Sequence, residues 1–368
     1  MNVLQIVPEL NAGGVERTTI EVAQALAEDG YTPHVASLGG RMERELTSLG
    51  GVLHTFDVGS KNPLQLRRNT KQLINIINNH AINIVHARSR APAWPAYRAA
   101  KATSTPFVTT YHGIYNAKGP IKRRYNSIMA MGERVIANSE YTKAHIISEH
   151  GTDPDKITVI PRGVDLERFD LTKLIPDNIE DIYKAWEIDA GKTIILLPGR
   201  LTRWKGQKVA IEALKLLPES YVLVCLGDAQ GRDDYVSELK RDCERFGLID
   251  RVLFPGHSEN MPAALACADV VISASTDPEA FGRIAAEAQA MQRPIVATAH
   301  GGSLETVMEE ETGFLVPSGQ SEALAKSIEK AVNWETYDGL AARTHIAENF
   351  SKKSLQAKTL DIYRQVML

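Results

Sequence analysis

The sequence predicts an α/β protein made of two doubly wound parallel sheets. Three observations predict it. The chain has 368 residues, more than one core holds, since single cores stop growing at roughly 250–300 residues. Short continuous apolar runs alternate with amphipathic stretches along nearly its whole length, as expected of parallel strands covered by helices on both faces. The opening order of strand, glycine-bearing loop and helix, LQIVPELNAGGVERTTIEVAQALAEDG, recurs as IILLPGRLTRWKGQKVAIEALKLLP, so a second Rossmann-like domain starts near residue 193.

In order, the predicted strands of the first half are Val3–Val7, Thr32–Leu38, Val52–Asp57, Ile84–Ala87, Phe107–Tyr111, Arg134–Ala137 and Ile157–Ile160. Those of the second half are Thr193–Pro198, Tyr221–Leu226, Val252–Pro255, Val270–Ala274, Pro294–Thr298 and Gly313–Val316. Helical periodicity places helices at Val15–Glu28, Leu64–Asn79, Ser139–His150, Gln207–Leu217, Asp233–Phe246, Met261–Cys267, Arg283–Met291 and Ser321–Asn333. Strand patterning lapses over Arg168–Asp189, which divides the chain into domains 1–170 and 171–350. The final stretch, 351–368, reads as one more helix with apolar Leu355, Leu360, Ile362, Tyr363 and Val366.

Composition excludes several classes. At 43% apolar and 24% charged the chain resembles an average soluble domain rather than a disordered or collagen-like one. No apolar run reaches the roughly 18–20 residues that span a bilayer. MNVLQIVPELNAGG lacks the basic start and long apolar core of a signal peptide, so it is expected to be the first strand. Cys225, Cys243 and Cys267 form no CxxC pair, which points to a reducing compartment and to no zinc site. A cytoplasmic protein is therefore expected. The sequence pI of about 6.4, with no basic stripe carrying aromatics, argues against nucleic acid as a partner. Residues 1–170 hold 20 Lys and Arg against 16 Asp and Glu, and the clustered part is KGPIKRR, with Lys118, Lys122, Arg123 and Arg124. Such a cluster suits an anionic membrane or a phosphorylated glycolipid, and equally a solvated helix end.

In open parallel sheets ligands bind beyond the carboxyl ends of strands, so the loops after strands carry the candidates. Gly199–Gly206 (GRLTRWKG) follows a strand and opens a helix. Arg200 and Lys205 there, with helix-terminal N–H groups, make an anion site. Asp277–Glu287 follows another strand, with Glu279 in the loop and Glu287 inside the next helix. Eight helical steps would span ~12 Å, too far for a paired-carboxyl hydrolase, but suited to a long polyhydroxylated ligand gripped at both ends. Spacing alone favours two unrelated surface glutamates. His112 and Gly113 end a first-half strand, as do His86, Arg88 and Arg90; Asn11–Gly14 precedes a helix. No GxxxxGK[ST], GxGxxG or GxSxG motif occurs, which weakens ATPase, dinucleotide and serine-hydrolase readings. Asp153-Pro154-Asp155 matches a metal-binding DxD pattern in form, but it precedes a strand and reads as turn chemistry.

Taken together, EAFGRIAAEAQAMQRPIVATAHGGSLETVMEEETGFLVPSG, GRLTRWKG, VIANSEYTKAHI, ITVIPRGVDLERF, TYHG and AGGVER resemble, in order, the family-four retaining glycosyltransferases of the GT-B fold. Their two glutamates separated by seven residues are met by Glu279 and Glu287. The resemblance covers nearly the whole chain. It implies two Rossmann-like domains facing across a cleft, with a C-terminal helix crossing back to the first. The donor, a nucleotide-diphosphate sugar such as GDP-mannose or a UDP-hexose, would bind the second domain and the acceptor the first.

By position, Arg200 and Lys205 would hold the diphosphate. Glu287 would accept bonds from the ribose hydroxyls, and Glu279 would lie at the sugar with the Phe281–Gly282 backbone. His112 would reach the transferred sugar, and Gly13 and Gly14 would lie near phosphate or acceptor. Arg88, Arg90, Lys118, Lys122, Arg123 and Arg124 are candidates for acceptor or membrane contact. The implied reaction is metal-independent and cofactor-free transfer of a hexosyl unit with retention, the acceptor hydroxyl attacking from the leaving group's face. The acceptor would be a surface glycan, lipopolysaccharide core or lipid-linked sugar, at the inner face of the cytoplasmic membrane. Arg162 stands where such proteins usually carry Asn. A non-catalytic nucleotide-sugar-binding subunit and a GT-B epimerase are the alternatives.

Overall fold

Continuous burial turns most of the apolar runs into inner strands of parallel sheets, while the runs at Val52–Thr55, Ile157–Val159 and Val252–Gly256 lie at sheet edges and are only partly buried. The computed structural model describes residues 1–11, 13–115, 117 and 119–368. Its strands are β1 Val3–Ile6, β2 Pro33–Ser37, β3 Val52–Thr55, β4 Ile84–Ala87, β5 Phe107–Tyr111, β6 Arg134–Ala137 and β7 Ile157–Val159. The remaining strands are β8 Thr193–Pro198, β9 Tyr221–Leu226, β10 Val252–Gly256, β11 Val270–Ser273, β12 Ile295–Thr298 and β13 Gly313–Val316. They pair in parallel as a seven-stranded sheet, β3-β2-β1-β4-β5-β6-β7, and a six-stranded sheet, β10-β9-β8-β11-β12-β13. Residues 1–162 with 352–368 form one compact unit, and residues 163–351 form the other. Both are doubly wound α/β sheets of Rossmann type.

The two-residue period of a strand assigns its side chains to opposite faces. In β8, Ile195 and Leu197 join one core while Ile194 and Leu196 join the other. Every one of the four is at most 1% exposed. A fully buried side chain of this size contributes about 1.5–3 kcal/mol, so a run of them outweighs any surface ion pair. Strand order reverses between β1 and β4 in the first sheet and between β8 and β11 in the second. Those reversals are where the loops part and leave a crevice at the strands' carboxyl ends.

The last helix, Lys352–Gln365, belongs to the first unit. It lies on the helix Gly14–Glu28: Leu355, Leu360, Ile362 and Tyr363 share a core with Val22 and Leu26. The Gln356 side chain donates to the Glu21 carbonyl at 2.7 Å. His86 is held at both ring nitrogens, by the Tyr363 hydroxyl at 2.6 Å and by the Thr110 hydroxyl at 2.7 Å. Burial drives its pKa well below the ordinary value, and the Arg88 cation pushes the same way; the ring is neutral.

Several helices were not expected from the sequence, among them Arg90–Thr103, Pro120–Ser127, Pro176–Trp186 and Gly339–Asn349. Prolines explain the first. Pro92 sits in the opening turn, where no helical N–H is needed. Pro95 removes one interior hydrogen bond, a loss offset by packing, since Ala93, Ala96, Ala99 and Ala100 are all at most 1% exposed. Asp153-Pro154-Asp155 is a turn, as expected, with the Asp153 carboxylate accepting from the Asp155 N–H at 3.0 Å. No described helix is long and apolar enough to cross a membrane.

Candidate active site

The second unit's site is built where its strand order reverses. After β8 the chain turns through Arg203–Lys205 and enters the helix Gln207–Leu214 at Gly206. That glycine has φ +75°, and a Cβ there would stand 1.8 Å from the Ala274 carbonyl oxygen just past β11. Only a residue without a side chain lets the two loops come this close. Their contact is fixed by the Thr276 N–H donating to the Trp204 carbonyl at 2.7 Å.

This approach brings Lys205 and Glu279 together. The Lys205 ammonium lies 2.5 Å from Glu279 Oε1, with the two side chains only 15% and 14% exposed. The Ser275 hydroxyl donates to the same oxygen at 2.7 Å. Lys205 Nζ also stands 4.5 Å above the Trp204 ring. The backbone of Glu279 is anchored from the loop after β12, since the Gly302 N–H donates to its carbonyl at 2.7 Å. A cation and a carboxylate are thus held at one point by three loops. Such a pair can exchange partners: an entering diphosphate offers the ammonium a second anion.

The other expected donor-site residues are placed less tightly. Arg200 is exposed on the same loop, and its side chain has no hydrogen bond or ion pair among the described residues. Glu287 is buried in the helix Arg283–Ala290, where Arg283 Nε donates to its Oε1 at 2.6 Å. The Phe281 ring packs into the core against Phe350, with 5.6 Å between centroids, and Gly282 begins the helix at φ +83°. Lys205 and Glu279 are therefore one pair, and Arg283 and Glu287 a second. Ser275, Trp204 and Arg283 had not been singled out from the sequence. For Arg283 the signal was available, because an i, i+4 spacing to Glu287 puts both on one helix face.

In the first unit, Gly14 opens a helix beneath Arg162. A Cβ on Gly14 would lie 1.6 Å from Arg162 Nη1, so the guanidinium rests on bare backbone. Arg162 Nη2 lies 3.4 Å from both the Nδ1 and the carbonyl of His112. His112 is buried, with its Nε2 unpartnered among the described residues. Burial holds its pKa well below the ordinary value, and Arg162, Arg88 and His86 add to the effect, so the imidazole is neutral at pH 7. Together with Arg88, Thr110, Asn138 and Arg162 it lines a cavity of about 10 Å³, room for about one water. Gly13, with φ +143°, precedes this helix.

Arg88 and Arg90 do not join the surface cations with which they were grouped. Arg88 is 2% exposed and its Nε donates to Gln5 at 2.7 Å. Arg90 lies 4.2 Å over the Tyr115 ring and donates to Asn126 at 2.9 Å. Both end up inward because they sit where β4 delivers the chain to its helix, at the sheet's point of reversal. Lys122, Arg123 and Arg124 are exposed on the helix Pro120–Ser127. Arg123 is tied to Glu149, through its carbonyl at 2.8 Å and its carboxylate at 3.3 Å. Lys118 lies outside the described residues.

Two doubly wound parallel sheets, each with its crevice at the reversal of strand order, define the GT-B class of glycosyltransferases. The family described as Glycosyltransferase Family 4 matches residues 12–168, and that described as Glycosyl transferases group 1 matches residues 178–353. The crystal structure of a glycosyltransferase from Rickettsia africae ESF-5 is 38% identical, with a TM-score of 0.91, covering 100% of this chain and 98% of that one. Anabaena Alr3699/HepE, solved in complex with UDP-glucose, is 25% identical with a TM-score of 0.87, covering 99% and 100%. The D-inositol 3-phosphate glycosyltransferase of Xylanimonas cellulosilytica is 29% identical over 305 residues, 77% of this chain and 72% of that one. The chain belongs to these two-part glycosyltransferases and is a GT-B enzyme of that family.

Proposed function

We propose that the protein moves a hexosyl unit from a nucleotide-diphosphate sugar to a lipid-linked or surface-glycan acceptor, with retention and without a metal ion. The observation that carries this reading is the Lys205–Glu279 pair at the reversal between β8 and β11. Lys205, with Arg200 on the same loop, takes the diphosphate and stabilises the charge that grows on it as it leaves. Preorganised cations supply that stabilisation at little reorganisation cost. Glu279, released from Lys205, accepts hydrogen bonds from sugar hydroxyls, and Glu287 accepts them from the ribose. Gly13, Gly14, Phe281 and Gly282 contribute backbone groups, and neutral His112 is a hydrogen-bonding partner and not a cation.

UDP-glucose in the Anabaena relative favours a UDP-hexose over GDP-mannose as donor. A phosphate-bearing acceptor is named for the Xylanimonas relative, and an anionic acceptor also suits the cationic first half, a lipopolysaccharide core or lipid-linked glycan among them. Lys122 and Arg124 would meet an anionic membrane at its cytoplasmic face. The test is release of free nucleotide from a panel of nucleotide sugars, with and without acceptor lipid extracts. Acceptor-dependent release supports the reading. Binding without turnover in any extract would indicate a nucleotide-sugar-binding subunit, and an epimerised free sugar would indicate an epimerase.

A further inference from the structure

The first unit has a second cavity, which shares no lining residue with the polar cluster around His112. It measures about 580 Å³ and opens among the loop entering the helix Pro63–Asn79, the helix Arg90–Thr103 and the helix Pro120–Ser127. That is within the roughly 300–1,000 Å³ of small-molecule sites. Its apolar surface comes from Leu66, Trp94 and Ile121, the last 87% exposed. The Trp94 N–H already donates to the Tyr125 carbonyl at 3.2 Å, so the indole offers the cavity its hydrocarbon body. Lys61, Arg98 and Arg124 also line it, and no carboxylate does. All three are exposed, and none is ion-paired among the described residues.

Each half of this lining excludes a class of ligand. A soluble phosphorylated sugar would satisfy the cations but leave Leu66, Trp94 and Ile121 in water. A neutral lipid would cover the apolar wall and leave three cations uncompensated. A bare sugar would find few acceptors for its hydroxyls. Only a molecule with a hydrocarbon chain and an anionic head complements both.

We propose that this groove binds a phosphorylated lipid, with its hydrocarbon chain against Leu66, Trp94 and Ile121 and its phosphate or diphosphate among Lys61, Arg98 and Arg124. The ligand's chemistry comes from the groove alone. Its place as the lipid half of the acceptor rests on the function proposed above.

The test is calorimetric titration of dodecyl phosphate, kept below its critical micelle concentration, into the full-length protein. Saturable binding is expected, at least about tenfold tighter than for inorganic phosphate or dodecyl maltoside, a difference of ~1.4 kcal/mol. Ile121→Asp and Arg98→Glu, both at exposed positions, are each expected to weaken it about tenfold or more, with circular dichroism checking that the variants are folded. Equal affinity for dodecyl maltoside or for inorganic phosphate would overturn the proposal. So would binding indifferent to both substitutions. Attachment to phosphatidylglycerol vesicles without binding of monomeric dodecyl phosphate would also overturn it, in favour of a membrane-docking surface. Nucleotide release by the unaltered chain, measured in parallel, separates the two ideas. Release without dodecyl phosphate binding refutes the groove alone; binding without release supports the groove and removes the proposed donor and acceptor.

Discussion

Lys205→Ala removes the cation from the pair on which the donor site depends. At 2.5 Å and an effective permittivity of ~20, the gross attraction is about 7 kcal/mol. Desolvation of two mostly buried groups cancels much of this. After the substitution the Glu279 carboxylate keeps the Ser275 hydroxyl as a donor but has lost its ammonium partner. A stability loss of about 1–3 kcal/mol is expected, the usual cost of leaving a largely buried polar group without its partner. Catalysis should suffer more, because the same ammonium is assigned to the leaving diphosphate. Removal of one such charge-stabilising group typically lowers kcat by ~10²–10³, or about 2.7–4 kcal/mol. The assay is nucleotide release at saturating donor, beside thermal melts of the parent, Lys205→Ala, Glu279→Gln and the double variant. If Lys205 only neutralises Glu279, the double variant recovers stability and turns over no more slowly than Glu279→Gln alone. Recovered melting with turnover still about a hundredfold below that of Glu279→Gln is the expected outcome. A Lys205→Ala protein with a lowered melting temperature and turnover within about threefold of the parent would show that Lys205 does not act on the leaving diphosphate.

Three further outcomes are expected. Gly206→Val should lower the melting temperature sharply and abolish donor binding together, because its Cβ would meet the Ala274 carbonyl at 1.8 Å with backbone on both sides; an unchanged melt would contradict that geometry. Stability should fall as pH drops below about 6.5. His34 is held near 4 by burial and by His54 and His80, whose rings lie 5.4 and 5.0 Å from its own. Burial lowers buried His86 and His112 as well. In that window the unfolded chain takes up protons that the fold refuses, costing up to ~1.4 kcal/mol per pH unit for each such group. Urea melts between pH 7.5 and 4.5 check this, and a flat profile would contradict it. Chelation of divalent ions should leave the transfer rate unchanged; a loss restored by added Mg²⁺ or Mn²⁺ would remove the metal-independent mechanism.

How far this was legible in the sequence depends on the range of the interaction. Phe107–Tyr111, Arg134–Ala137 and Tyr221–Leu226 are strands at the boundaries expected from the sequence, because burial on both faces leaves mostly apolar runs with few polar residues, such as Thr109 and Thr110, among them. Val7, Leu38 and Ala274, expected to end strands, lie one residue past β1, β2 and β11, because the apolar run continues after the pairing stops. Helix Arg90–Thr103 was hidden by its prolines, whose cost is met by buried alanines that only the fold reveals. Helix Pro120–Ser127 was hidden because Ile121 and Tyr125 are its only large apolar residues among Lys122, Arg123, Arg124, Asn126 and Ser127, leaving little apolar periodicity to read.

The site divides the same way. The loops that carry Arg200, Lys205, Glu279 and Glu287 follow from the strand pattern. The Lys205–Glu279 contact does not, since 74 residues separate the two and only the reversal between β8 and β11 joins them. The inward turn of Arg88 and Arg90 was equally illegible, because a cation at a strand end has the same local pattern whether it faces solvent or the sheet core.

Calorimetry of UDP and GDP binding, with the parent chain compared with an Arg200→Ala/Lys205→Ala variant, probes the donor site without any acceptor. Saturable binding of one nucleotide to the parent, weakened at least about tenfold in the variant, is the predicted result. Equal binding by both proteins would contradict the placement of the diphosphate beside Lys205, and binding of neither nucleotide to the parent would contradict the donor site itself.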